Sequence, residues 1–238
     1  MLDKYIFAGI EIYRSVYKFV NANMYAIGEN DKAIIIDPHK SEELTLLLQE
    51  KNVREIDVLL THEHHDHTSG LYWYQENFDA KFLAQKEGAE WMASKWYVRP
   101  MFLTFLLSEA DKLNGTDVLS EFRKDFVPRI YEADRTYEEF LEWEWRNHKF
   151  EFYHIPGHSK GGSMIILDGK IAFTGDTLFK DVPTTLRFPG GNEKDFVEKT
   201  IPLLKAKLNK SMTILPGHGK PFVLGEIMKK GQIDVQFK

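Results

Sequence analysis

The chain has 238 residues, 43% hydrophobic and 28% charged, with a formal charge of -5, a composition that supports a buried core and excludes global disorder. Cysteine is absent, which excludes disulfides, thiolate metal ligands and cysteine nucleophiles, and no apolar run approaches the ~18 residues that would span a bilayer. The acidic balance gives no support for nucleic-acid binding, and Met1-Leu-Asp-Lys-Tyr5 carries no secretory pattern, so a cytoplasmic protein without membrane or nucleic-acid partners is expected.

Residues 5–13 and 16–27 are β-branched and aromatic with few breakers, and the pattern predicts strands. Ala33–Asp37 reads as a short buried strand stopped by Pro38, and Ser41 caps a helix whose apolar stripe is Leu44, Leu47 and Leu48. Strands follow at Ile56–Thr61 and Lys81–Ala84, then a helix from Gln85 to about Lys95. Strand character resumes at 150–155, and Met164–Leu167 and Ile171–Thr174 flank a hairpin turn at Asp168-Gly169-Lys170. Glu193–Leu208 reads as an amphipathic helix with Phe196, Val197, Ile201, Leu204 and Leu208 on one side, followed by a strand at Met212–Leu215. This alternation predicts a layered α/β domain over 1–238, with two packed sheets and helices outside. Residues 96–149 differ. They hold 11 of the 32 aromatic residues and carry 8 Lys and Arg against 11 Asp and Glu. A helical, aromatic-rich insertion is expected there, covering a site or forming a homodimer interface.

Chemistry concentrates in Thr61-His-Glu-His-His-Asp-His67, directly after a buried strand. His62, His64, Asp66 and His67 form H-x-H-x-D-H, and imidazole nitrogens with a carboxylate suit zinc, iron or manganese. Three further candidates stand at predicted strand ends: His158 in Pro156-Gly-His, Asp176 in Thr174-Gly-Asp, and His218 in Pro216-Gly-His. Seven such residues suffice for two divalent ions sharing one carboxylate, zinc being the first choice. Gly157-His-Ser-Lys-Gly161 also matches G-x-S-x-G, the turn that presents a nucleophilic serine. That turn should lead into a helix, whereas Gly162-Ser-Met-Ile-Ile reads as a strand, so Ser159 is expected to be a loop hydroxyl.

The set His62, His64, Asp66, His67, His158, Asp176 and His218 resembles that of the metallo-β-lactamase superfamily of metallohydrolases. The resemblance implies an αββα sandwich with its metal site at one edge. It implies one ion on His62, His64 and His158, a second on Asp66, His67 and His218, and Asp176 bridging them. Asp37 matches an acid found behind the motif in that superfamily, and serves equally well as a cap for the helix at 41. Phe173–Phe179, Phe188-Pro-Gly-Gly-Asn192 and Leu215–Pro221 are similar to the glyoxalase II-like branch. The sequence departs from that branch at Thr184-Thr-Leu-Arg187, in the length of 96–149, and in the twenty residues after His218, where a helical C-terminal domain is not expected.

The activity implied is attack by a metal-bound hydroxide on a small-molecule ester, thioester or lactone, with Asp66 orienting it and moving its proton. Two alternatives share the fold. One is a mononuclear iron enzyme like the persulfide dioxygenases, with His62 or His64, His158 and Asp176 as a facial triad. The other is a phosphodiesterase.

Overall fold

Apolar side chains at alternate strand positions decide how the layers stack. The computed structural model describes residues 2–228. One sheet contains β1 (Asp3–Phe7), β2 (Ile10–Val16), β3 (Asn23–Glu29), β4 (Lys32–Ile36), β5 (Glu55–Leu59), β6 (Asp79–Gln85) and β7 (Arg135–Tyr137), in that order. β1 to β4 pair antiparallel and β4 to β7 parallel. The other contains β8 (Phe140–Trp145), β9 (His148–His154), β10 (Ser163–Leu167), β11 (Ile171–Gly175), β12 (Thr213–Pro216) and β13 (Phe222–Val223), antiparallel except at β11–β12.

Along β4, Ile34 and Ile36 face the second sheet and meet Phe152, Ile165 and Phe173. Ala33 and Ile35 face the other way, toward Leu44 and Leu48 of α1 (Glu42–Glu50). α2 (Leu71–Asn77) and α3 (Lys86–Met92) share that outer layer. In β10, Ile165 and Leu167 enter the core between the sheets, while Met164 and Ile166 pack with Leu204. Strands covered on both faces read as unbroken apolar runs, and all five residues of β10 are buried. The order of layers is therefore helix, sheet, sheet, helix, the expected αββα sandwich.

Several local expectations needed correction. The strand expected over 5–13 turns at Ala8 (φ 50°) and Gly9 (φ 85°). That over 16–27 is interrupted between Val16 and Asn23, with Asn21 left-handed at φ 60°. Residues 96–149 are helical only in α4 (Met101–Asn114) and α5 (Val118–Asp125), since β7 and β8 complete one edge of each sheet. The helix expected over Glu193–Leu208 comprises α6 (Glu193–Asp195), a π-helical turn (Phe196–Thr200) and α7 (Ile201–Lys207). Pro202 follows the wide turn because it has no N–H to donate into the ladder. Val197, expected on the packed side, is exposed. Other expectations held: the hairpin turn forms at Asp168 (φ 51°) and Gly169 (φ 63°), and the Ser41 hydroxyl accepts from Leu44 N–H at 3.2 Å.

A short helix, α8 (Leu224–Met228), ends the described residues, so the expectation about the chain after His218 falls partly outside them. No helix among the described residues is long and apolar enough to cross a membrane.

Candidate metal centre

The seven candidate residues sit on the segments leaving the ends of β5, β9, β11 and β12 at one rim of the sandwich, Asp66 and His67 in a 3-10 turn (His65–His67). Backbone room brings them together. Gly175 is left-handed at φ 48°, and a Cβ there would lie 2.4 Å from Thr61 Oγ1. A Cβ on Gly217 would lie 2.2 Å from Asp176 Oδ1. Any side chain at either position would push two ligand loops apart.

Hydrogen bonds fix which ring nitrogen four of the five histidines turn inward. His158 Nδ1–H donates to the Thr185 carbonyl at 2.7 Å, and His64 Nε2–H donates to the Pro189 carbonyl at 3.0 Å. Thr61 Oγ1–H donates to Asp37 Oδ2 at 2.5 Å, leaving the hydroxyl oxygen to accept from His62 Nδ1–H at 3.1 Å. His67 Nδ1–H donates to the same Asp37 oxygen at 3.1 Å. Each remaining nitrogen can then present a lone pair. His64 Nδ1 and His158 Nε2 lie 3.1 Å apart, and with both ring protons committed elsewhere they need a cation beside them. His62, His64 and His158 form one group able to hold an ion, and Asp66, His67 and His218 another, the donor atoms of each lying within 4.8 Å of one another.

Asp176 touches both groups. Its Oδ2 is 3.6 Å from His158 Nε2 and 3.4 Å from His218 Nε2, and its Oδ1 is 3.5 Å from His67 Nε2. His62 Nε2, His67 Nε2 and Asp176 Oδ1 are buried without hydrogen-bond partners among the described residues. Orphaned buried atoms converging from imidazoles and carboxylates fit divalent cations. The expected site residues are thus all brought together.

The two groups differ in protonation. Burial, reinforced by the charge of His67, pushes His62 well below the ordinary histidine value, and burial also lowers His158. Burial opposes charge on His67 and His218 as well, but Asp66 and Asp176 overcome it and raise them to about 9 and about 11. Burial also pushes Asp66 upward, but His67 and His218 hold it well below the usual carboxylate range. At pH 7 His62 and His158 are therefore neutral and ready to coordinate, while His67 and His218 carry protons that an ion must displace. Calorimetry in buffers of different ionisation enthalpy is expected to show more protons released on filling the second group than on filling the first. Affinity of the second group should rise with pH from 7 toward 9. Equal proton release from both groups would contradict this electrostatic picture.

Three supporting residues escaped the sequence reading. Buried Glu63, the variable position of the motif, accepts from Ser159 Oγ at 3.0 Å, Lys160 N at 3.2 Å and Gly161 N at 3.1 Å. It ties the His62–His67 loop to the loop carrying His158. Asn23 Nδ2 donates to the Pro216 and Gly219 carbonyls at 2.9 and 2.8 Å, and Tyr25 Oη donates to Pro216 at 2.8 Å, fixing the turn that carries His218. Asp37 proves to stand behind Thr61 and His67, and Ser41 takes the capping role. Ser159 is fully buried with its proton given to Glu63, and strand β10 follows, so it is no nucleophile. Glu63→Ala removes the acceptor for all three donors. It is expected to cost about 1–3 kcal/mol of stability and to weaken the first ion roughly 10- to 100-fold. Thermal unfolding and chelator competition would check both, and unchanged ion affinity would refute the coupling.

Above the site opens a cleft of about 1540 Å³. Phe188 forms its near wall, 5.6 Å from the His158 ring and 6.2 Å from that of His64, and Phe102 of α4 lies 4.5 Å from Phe188. Tyr97 stacks on His65 at 4.4 Å, and its hydroxyl bonds Thr68, anchoring the segment before α4 to the motif.

The family model described as the metallo-beta-lactamase superfamily matches residues 17–218. A Haemophilus influenzae protein named hydroxyacylglutathione hydrolase GloC is 28% identical over 86% of this chain and 88% of its own. A Bacillus subtilis protein named probable metallo-hydrolase YqgX is 26% identical over 84% of this chain and 86% of its own. Among solved structures, the BLEG-1 B3 metallo-beta-lactamase superposes with a TM-score of 0.69 at 18% identity, covering 96% of this chain and 97% of that one, a likeness of fold.

Proposed function

The chain belongs to the metallo-β-lactamase superfamily, and on that premise we propose that it is a dinuclear metal-dependent hydrolase of a small-molecule ester, thioester or lactone. The observation that carries this reading is the pair of three-residue donor groups on either side of Asp176. A one-ion oxygenase would leave Asp66, His67 and His218 without a task. The likeness to the Haemophilus hydrolase supports a thioester within the substrate set.

His62, His64 and His158 would hold one ion, Asp66, His67 and His218 the other, and Asp176 both. Zinc suits these neutral imidazoles and carboxylates, and iron or manganese would fit the same donors. Ions held there supply a water whose pKa falls to about 7 and a Lewis acid for the substrate's carbonyl oxygen. The chain's own residues do the positioning. Asp66, 18% exposed at its side chain and held ionised, accepts the attacking water's proton in a hydrogen bond and so orients it. Phe188 keeps bulk water from the His64 and His158 side. No side-chain nucleophile is required. A cysteine-free chain suits the cytoplasm, which we take as its place of action.

The test is a panel of thioesters, esters, lactones and a chromogenic phosphodiester, with oxygen uptake on a persulfide measured in parallel. Hydrolysis of a carbonyl substrate, abolished by chelator and restored by zinc, is the expected result. Oxygen uptake with one iron per chain, or turnover of the phosphodiester alone, would overturn it.

A further inference from the structure

We propose that Trp91 to Leu106, with Phe188, builds a subsite for a long apolar acyl arm, so that the enzyme selects long-chain acyl substrates over short ones. This rests on the hydrolase reading and narrows its substrate class.

The first two turns of α4 are apolar on two faces. Leu103 and Leu107 pack on Tyr17, Phe19 and Phe122. Met101, Phe102 and Leu106 lie along another side and line the cleft, joined there by Trp91 and Trp96 from the chain before the helix. Met101 is 73% exposed, Trp96 56%, Trp91 45% and Leu106 36%. Large apolar side chains contiguous in a concavity mark a binding surface. This one continues to the reacting centre, because Phe102 meets Phe188 and Phe188 meets the rings of His64 and His158. The cleft volume of about 1540 Å³ exceeds the ~300–1,000 Å³ usual for small-molecule sites, leaving room for an extended chain beyond the carbonyl. Lys95 and Arg99 stand over the Trp96 ring at 5.3 and 5.8 Å, bracing the wall. Phe105 and Leu113 are also exposed on α4 but do not line the cleft. A second copy covering this helix would use those two, whereas an acyl arm would not.

The experiment measures kcat/KM of the zinc-loaded chain on acetyl, butyryl, hexanoyl and octanoyl thioesters. Tryptophan fluorescence is recorded alongside during titration with acetate and octanoate. The expected result is a rise of about two- to fourfold per methylene and a fluorescence change with octanoate alone. Phe102→Ala and Trp96→Leu should each reduce the octanoyl-to-acetyl ratio at least fivefold, while Leu113→Asp leaves it intact. Thioester hydrolysis with no chain-length dependence would overturn the subsite and leave the hydrolase standing. A chain-length dependence untouched by both cleft variants would also overturn it. A dimer dissociated by Leu113→Asp, together with a flat chain-length profile, would assign the face to a second copy. Chain-length-dependent fluorescence without any turnover would support the subsite and sink the hydrolase reading instead.

Discussion

Asp176→Ala is expected to lower kcat/KM by on the order of a thousandfold or more, beyond the roughly 10- to 100-fold typical when a residue behind a metal ligand is lost. The reason is its place between the two groups. It reaches His158 and His218 through Oδ2 at 3.6 and 3.4 Å and His67 through Oδ1 at 3.5 Å. His218 is raised to about 11, with the Asp176 charge the largest favourable influence, so the substitution should also let that ring release its proton more readily. Kinetics and elemental analysis of the variant should show low activity and fewer than two ions per chain. Activity within tenfold of the parent, with both ions retained, would show that Asp176 joins nothing.

Asp37→Ala is expected to destabilise the fold and the second ion together. Thr61 N–H, Thr61 O–H and His67 Nδ1–H all donate to this buried carboxylate, at 2.7, 2.5 and 3.1 Å. One buried donor stripped of its acceptor costs about 1–3 kcal/mol, so a loss of roughly 3 kcal/mol for the three together is a conservative expectation. In a chain of this size that lowers Tm by about 6–12 °C. Asp37→Asn separates the effects. Its amide oxygen can still serve Thr61 N–H, but its NH2 would face His67 Nδ1–H, so ion affinity should fall roughly 10- to 100-fold with a smaller change in Tm. Calorimetry and chelator competition measure the two quantities. An Asn variant that binds both ions as the parent does would remove Asp37 from the account.

The metal centre was legible because its chemistry is written in short pieces at strand ends. H-x-H-x-D-H places four donors within six residues, and two Pro-Gly-His turns and one Thr-Gly-Asp turn supply the rest. The layered fold was legible for a related reason: strands such as β10 are covered on both faces and carry no polar residue after Ser163. What escaped depends on distance or on weak local signals. Asn23 and Tyr25 act on a turn more than 190 residues away, joined only by the way the sheets close. Glu63 occupies a motif position that spacing leaves open, and only the folded loop brings Ser159, Lys160 and Gly161 to it. The Ala8-Gly9 hairpin lacks the Asn or Asp that usually marks such a turn. β8 alternates exposed and inward positions, with Glu142 and Glu144 facing out between Leu141, Trp143 and Trp145, a period-two strand signal inside the aromatic-rich stretch expected to be helical.

Elemental mass spectrometry of the purified, untagged chain, before and after reconstitution, tests the two-ion centre most directly. The expected result is two ions per chain, zinc or mixed zinc and iron, with one lost on substituting any of Asp66, His67 or His218. One iron per chain with the second group empty after reconstitution, or no retained metal at all, would contradict it.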